Sequence, residues 1–243
     1  MAMDYKPYKK AFEYSYTLGA FPTIELIKTR PQLVECVIIH STFTGESEVR
    51  KLCRENGIRT VTGDRMIERL SDKENVFVIG VFKKYEEELA KDESHVLLVN
   101  PSNMGNLGTI IRTCAGFGIT DLALISPCAD IFNPKTVRSS MGALFRIRHR
   151  HFASFEEYRA AVGDRECFSF MLTDRAKSLP EVEKPSVFTL IFGNEATGLP
   201  DEYGEKTTPV IIPQSELVDS LNLTIAAGIG MYEFTEAAKR AVI

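Results

Sequence analysis

The sequence predicts an α/β fold, on three grounds. Short apolar runs of strand length alternate with longer segments whose apolar residues recur at helical spacing. The apolar runs are unbroken rather than alternating, as in strands covered on both faces of a largely parallel sheet. Three of them lead directly into loops rich in Gly, Asn, Ser and Glu, where ligands gather at the carboxyl ends of open α/β sheets.

A chain of 243 residues has room for one large or two modest domains. Its 44% hydrophobic and 26% charged residues are those of a globular protein. No apolar run reaches the roughly 18–20 residues of a membrane span, so no membrane partner is expected. The opening stretch MAMDYKPYKKAFEYSY is charged and aromatic and does not read as a secretory signal. The five cysteines (Cys36, Cys53, Cys114, Cys128 and Cys167) include no C-x-x-C pair, which excludes a disulfide framework and a zinc site of that type. The four histidines show no metal-ligand spacing, so no metal is expected, and a reducing cytoplasm is the simplest location. The net charge of −4 excludes a protein coated in positive charge. Between residues 135 and 151, however, Lys135, Arg138, Arg146, Arg148 and Arg150 occur with no acidic residue. They form either a solvated surface strand or a track for RNA phosphates.

Along the chain, 21–81 reads as a small α/β unit. Phe21–Arg30 is a helix stopped by Pro31. Val34–Ile39 is a strand, and Glu46–Asn56 is a helix closed by Gly57. Ile58–Val61 is a short strand, Asp64 caps a helix carrying Ile67 and Leu70, and Val76–Val81 is a buried strand. A mostly parallel sheet with helices on its faces follows from that alternation. Lys83–Ser94 is charged without an apolar face and reads as a linker or bridging helix, placing a domain boundary near residue 90. Beyond it come strands at 95–99, 121–126, 167–172, 187–192 and 209–212. Helices are expected at 107–117, about 134–141, about 154–162 and 221–240.

Three loops carry the chemistry. In the first, Asn100 to Arg112, Asn106 is positioned to cap the helix beginning near Leu107. Leu107, Ile110, Ile111 and Cys114 share its buried face, and Arg112 points away from them. Arg112 is either an ordinary solvated arginine or a guanidinium aimed at a phosphate or developing oxyanion. In the second, Phe192-Gly-Asn-Glu195 is followed by Gly198. The absence of Lys and Ser/Thr after Gly198 rejects a nucleotide triphosphate loop. A tight glycine turn there lets backbone approach a ligand, and Glu195 is either a solvated acid or an acceptor. In the third, a strand ends at Pro213 and a helix starts near Ser220, a plausible N-cap. Asn222 falls in the first turn, where Asn is a poor helix former.

In this order the loops resemble the three motifs of the SpoU-type (TrmH-like) branch of the SPOUT superfamily of RNA methyltransferases. Asn106, Gly108 and Arg112 match the first motif, and Phe192 to Glu195 with Gly198 the second. Ile212-Pro and Ser220-Leu-Asn222 running to Ala226 match the third. Ser139 to Arg146 is also typical, and Ala196 stands where the family often has glycine. The resemblance covers about residues 95–240. It implies two domains: a small ribosomal-protein-like RNA substrate-binding domain over 1–90, and a SPOUT methyltransferase domain over 91–243 whose C-terminal segment threads a deep trefoil knot. A homodimer is implied too.

The implied activity is S-adenosyl-L-methionine-dependent methylation of a ribose 2′-hydroxyl of RNA, ribosomal rather than transfer RNA by analogy of the auxiliary domain. Gly193, Asn194, Gly198, Ile212, Leu221 and Ala226 would bind the cofactor. Arg112 would be catalytic, with Asn106, Glu195, Ser220 and Asn222 orienting it, the ribose or the cofactor. Lys135, Arg138, Arg146 and Arg148 would contact RNA. The alternatives are a base-directed SPOUT methyltransferase and a non-catalytic RNA-binding assembly or resistance factor.

Overall fold

The computed structural model describes residues 5–240, with side chains through Thr235. The first four residues of the opening stretch lie outside them. In chain order the elements are β1 (Tyr14–Leu18), α1 (Ala20–Thr29), β2 (Val34–Ile39), α2 (Glu46–Glu55), β3 (Thr60–Thr62), α3 (Asp64–Leu70) and β4 (Val78–Lys83). There follow β5 (His95–Val99), α4 (Met104–Gly116), β6 (Asp121–Ile125), α5 (Pro134–Ser139), β7 (Arg148–Phe152) and α6 (Phe155–Val162). The chain continues through β8 (Glu166–Phe170), β9 (Lys177–Ser178), β10 (Phe188–Phe192), α7 (Glu202–Lys206), β11 (Thr208–Ile211) and α8 (Leu223–Arg240). These elements fall into two compact units, the chain up to Tyr85 with Asp130–Arg146, and Glu86–Ala129 with the chain from Ile147 onward.

The first unit is a four-stranded sheet in the order β1-β4-β2-β3. It is mixed rather than mostly parallel. β4 runs antiparallel to both β1 and β2, and only β2 and β3 are parallel. β4 inserts antiparallel between β2 and an additional strand, β1, whose tyrosines sit in a stretch that reads as charged and aromatic. Tyr16 is in fact fully buried. β2 shows why its apolar run is unbroken. Cys36 and Ile38 pack on one face with Tyr16, Ile67 and Leu70, while Val37 and Ile39 pack on the other with Ile27, Val49 and Cys53. Asp64 opens α3 without capping it. Its carboxylate instead accepts from the Ser41 N–H and hydroxyl.

Residues 130–146 join this unit because their apolar side chains find its core. Phe145 stands edge-on to Phe82, with ring centroids 5.1 Å apart. Arg146 pairs with Glu25 at 2.5 Å. Gly142 is left-handed (φ +81°), and a Cβ there would lie 2.6 Å from the Cβ of Glu25, so only glycine fits.

The second unit is a seven-stranded sheet in the order β7-β6-β5-β10-β8-β11-β9, parallel at every pairing. One face packs Leu97, Val99, Ala123, Ile125 and Ile191 against Phe155, Tyr158 and Tyr203 of α6 and α7. On α8, Phe234 packs against Phe168 and Phe188, and α4 buries Leu107, Ile110, Ile111 and Cys114. Residues 83–94 form no helix. They leave β4 as an extended strap in which Glu87 N–H donates to His149 O at 3.2 Å and Ala90 N–H to Asp121 Oδ1 at 2.9 Å. Lacking an apolar face, the strap uses its charges, with Glu86 bonding His151 and Glu88 bonding Arg150.

Three of the basic residues between 135 and 151 are paired within the chain. Arg146 holds Glu25, Arg150 holds Glu88, and Arg148 grips Asp121 through Nε (2.8 Å) and Nη2 (2.5 Å). Asp121 is wholly buried. Burial alone would raise its carboxyl, but hydrogen bonds from Arg148 and the Ala90 N–H outweigh it and hold it below the usual carboxylate range. Removing one partner of such a pair strands the other charge. Arg148→Met should therefore lower unfolding stability at pH 7 by about 3 kcal/mol in urea titrations, with much of the loss recovered when Asp121→Asn is added.

Candidate functional site

The site forms where β5, β10 and β11 end. After β5, Asn100 turns the chain with φ +51°, and the loop enters α4 through Asn103. The cap is Asn103, not Asn106. Its Oδ1 accepts from Gly105 N–H (2.8 Å) and Asn106 N–H (3.1 Å), and Asn106 lies within the first turn. This frees the Asn106 side chain, whose Nδ2 donates to Glu195 Oε1 at 3.2 Å.

Glu195 belongs to the turn after β10. Its Oε2 accepts from Ser102 N–H (3.0 Å) and Ser102 Oγ (2.8 Å), and its Oε1 also accepts from Asn103 N–H (3.1 Å). Burial alone would raise this carboxyl. The N–H groups of Ser102, Asn103 and Glu195 itself, with the Ser102 hydroxyl, bring it instead down to about 2. It is therefore neither a solvated acid nor a proton carrier near neutral pH. It is a fixed anion tying two loops together at the N-terminal end of α4.

The turn bearing Glu195 is closed twice by backbone, Asn194 N–H to Gly198 O (3.1 Å) and Gly198 N–H to Asn194 O (2.9 Å). Asn194 Nδ2 reaches Asn100 O at 2.7 Å, stitching the turn to the end of β5. Gly198 is left-handed at φ +68°. A Cβ on Gly193 would stand 2.2 Å from the Gly198 carbonyl carbon, so the turn closes only over glycine.

After β11 the chain passes through an exposed loop and enters α8 at Asn222. There the Oδ1 accepts from Thr224 N–H (2.9 Å) and Thr224 Oγ1 (2.7 Å). The helix starts at Leu223, so Asn222 performs the capping expected of Ser220, and its position is explained without any ligand.

The loops after β10 and β11, with the residues that end and follow β8, enclose a cavity of about 450 Å³, within the range of small-molecule sites; the loop after β5 does not line it. Gly193, Asn194, Gly198, Ile212, Leu221 and Ala226 all line it, as do Glu195 and Ser220. Arg112, Asn106 and Asn222 do not. Arg112 is exposed on α4 and has no ion pair among the described residues. Three contributors escape the sequence reading. Ser102 and Asn103 anchor Glu195, and their role is legible only once the β5 and β10 loops are adjacent. The far wall, Phe170 to Thr173 after β8, carries no polar motif.

A parallel α/β sheet with a glycine-turn cavity at the carboxyl ends of its strands defines a cofactor-binding α/β protein. Residues 93–232 match the SpoU rRNA Methylase family, and the chain belongs to that family. A relative is the 23S rRNA (guanosine(2553)-2'-O)-methyltransferase RlmP of Bacillus subtilis, 34% identical over 150 residues, or 60% of this chain and 60% of that protein. The 23S rRNA (uridine(2479)-2'-O)-methyltransferase of Streptomyces viridochromogenes is 28% identical over 223 residues, 79% of this chain and 73% of that one. An AdoMet-bound rRNA methyltransferase structure from Sinorhizobium meliloti is similar with a TM-score of 0.79 and 25% identity, covering 95% of this chain and 88% of that one. The chain spans about half the length of several curated relatives, 48% of a tRNA/rRNA methyltransferase of Synechocystis and 60% of RlmP.

A carboxylate held at about 2 contributes stability that is present above its unfolded value and lost as pH falls through 2. Glu195→Gln should lower the unfolding midpoint at pH 7. The variant should also lose less stability than the parent between about pH 4.3 and pH 2, measured by urea unfolding across pH.

Proposed function

We propose that the chain is an S-adenosyl-L-methionine-dependent methyltransferase acting on a ribose 2′-hydroxyl of RNA. The observation that carries the reading is one cavity lined by Gly193, Asn194, Gly198, Ile212, Leu221 and Ala226, in a chain of the SpoU family. The fit to the donor rests on the Gly193 turn. Its backbone packs on Gly198 too closely for a side chain at 193, and the closed turn from Gly193 to Leu199 forms a wall of the cavity. When bound, the cofactor supplies an electrophilic methyl group on a sulfonium.

The chain's own residues supply position and charge. Backbone at Gly193, Ile212 and Leu221 would hold the donor, and positioning of this kind is worth up to about 7–11 kcal/mol in ideal cases. The acceptor 2′-hydroxyl would give up its proton to solvent. Arg112 would hold the RNA phosphate and stabilise the oxygen's developing negative charge. A guanidinium carries five donors and no acceptor, so it is unsuited to act as the base. Glu195 acts through others as a positioning residue, fixing Asn106 and the start of the helix that bears Arg112.

Arg112 stands outside the cavity of its own chain, and α8 exposes Ile225 (54%) and Tyr232 (44%). Both observations support a homodimer in which a second copy completes the site. Lys135 and Arg138 are exposed and without ion pairs among the described residues, and remain the candidates for phosphate contact. The rRNA-directed relatives and the small first unit favour ribosomal RNA, although a relative from Listeria innocua is a tRNA (cytidine(34)-2'-O)-methyltransferase by name. The knotted C-terminal segment belongs to the same proposal.

Arg112→Ala should abolish methyl transfer to RNA while leaving uptake of S-adenosylmethionine largely intact. Mass spectrometry of nucleosides from the wild-type reaction should place the methyl group on ribose. Near-normal turnover by the variant would remove Arg112 from the mechanism, and a methylated base would replace the assigned acceptor.

A further inference from the structure

β7 is the edge strand of the second unit's sheet, and the strap from Glu86 lies along it. His149 and His151 are two residues apart on that strand, so both rings leave the same face. Glu86 reaches this face as well, bonding His151 Nδ1. One metal-ligating atom from each of Glu86, His149 and His151 falls within 4.8 Å of the others. Arg148 and Arg150 alternate to the opposite face, where they hold Asp121 and Glu88, so the strand's guanidinium groups are turned away from its imidazoles.

We propose that Glu86, His149 and His151 form a site for a divalent transition-metal ion, zinc in particular, with water in the fourth position. Two imidazoles and a carboxylate are a donor set that suits zinc, whereas magnesium and calcium take oxygen ligands. Zinc–nitrogen bonds of about 2.0–2.1 Å place tetrahedral ligand atoms about 3.3 Å apart. The three ligand atoms, within 4.8 Å of one another, would draw together around the ion. On binding, any proton shared by Glu86 and His151 passes to solvent, and their hydrogen bond is replaced by two bonds to the metal. The ion would clamp the strap to the sheet edge. The site lies within one unit and uses none of the residues assigned to methyl transfer.

The test uses the full chain, stripped with a chelator and titrated with zinc chloride, read by native mass spectrometry and calorimetry. One zinc per chain is expected. His151→Ala, at a half-buried position that should tolerate it, should weaken binding by about tenfold or more. His40→Ala, in the first unit, should leave uptake unchanged. With cobalt(II) in place of zinc, the wild type should show visible d–d absorption that His151→Ala diminishes. No zinc on the wild type, equal affinity in His151→Ala, or loss of uptake in His40→Ala would overturn the site.

Discussion

The site depends on one carboxylate. Glu195 accepts hydrogen bonds from Ser102, Asn103 and Asn106 and so joins the loop after β10 to the start of α4. Without it the two loops would present unpaired N–H groups to each other across a gap. Ionised and saturated with donors, it makes the relative position of Gly193 and α4 a matter of fixed geometry. Preorganised groups of this kind are what a transfer reaction needs, because they cost no rearrangement when charge moves.

The frame beneath is built to hold those loops still. The parallel strands β5 and β10 are buried along their whole length, and the carboxyl ends of β8, β10 and β11 border the cavity. At the opposite end of β5, His95 is buried with Nδ1 at 2.8 Å from Tyr158 Oη and Nε2 at 2.7 Å from Ala90 O. Burial and the nearby Arg165 bring its pKa down to about 4, so it serves as a neutral link. With Asp121 and Arg148, this network holds the strap and the edge of the sheet. Charge is thus spent on rigidity at one end of the strands and on function at the other.

Much of this was legible in the sequence. Every strand with an unbroken apolar run was found, because burial on both faces leaves a signal that needs no partner. The six cavity residues expected from the motif resemblance line a single pocket. What was not legible depended on neighbours distant in sequence. β1 hides its buried Tyr16 among charges. β7 reads as a basic stretch because its arginine partners, Glu25, Asp121 and Glu88, lie elsewhere in the chain. At α4 and α8 the sequence points to caps two or three residues from the real ones, because several Asn and Ser compete and only the final geometry selects Asn103 and Asn222. His149 and His151 show no metal spacing by helical or finger rules. The strand period and Glu86 bring them together.

The central claim is that the Gly193 turn and its neighbours form the seat of a methyl donor. Equilibrium titration of the full chain with S-adenosylmethionine tests it most directly, with Gly193→Ala as the comparison and circular dichroism as the check on folding. Saturable uptake of one molecule per chain, lost in a folded Gly193→Ala variant, is the predicted result. No uptake by the wild type, or equal affinity in the variant, would contradict it.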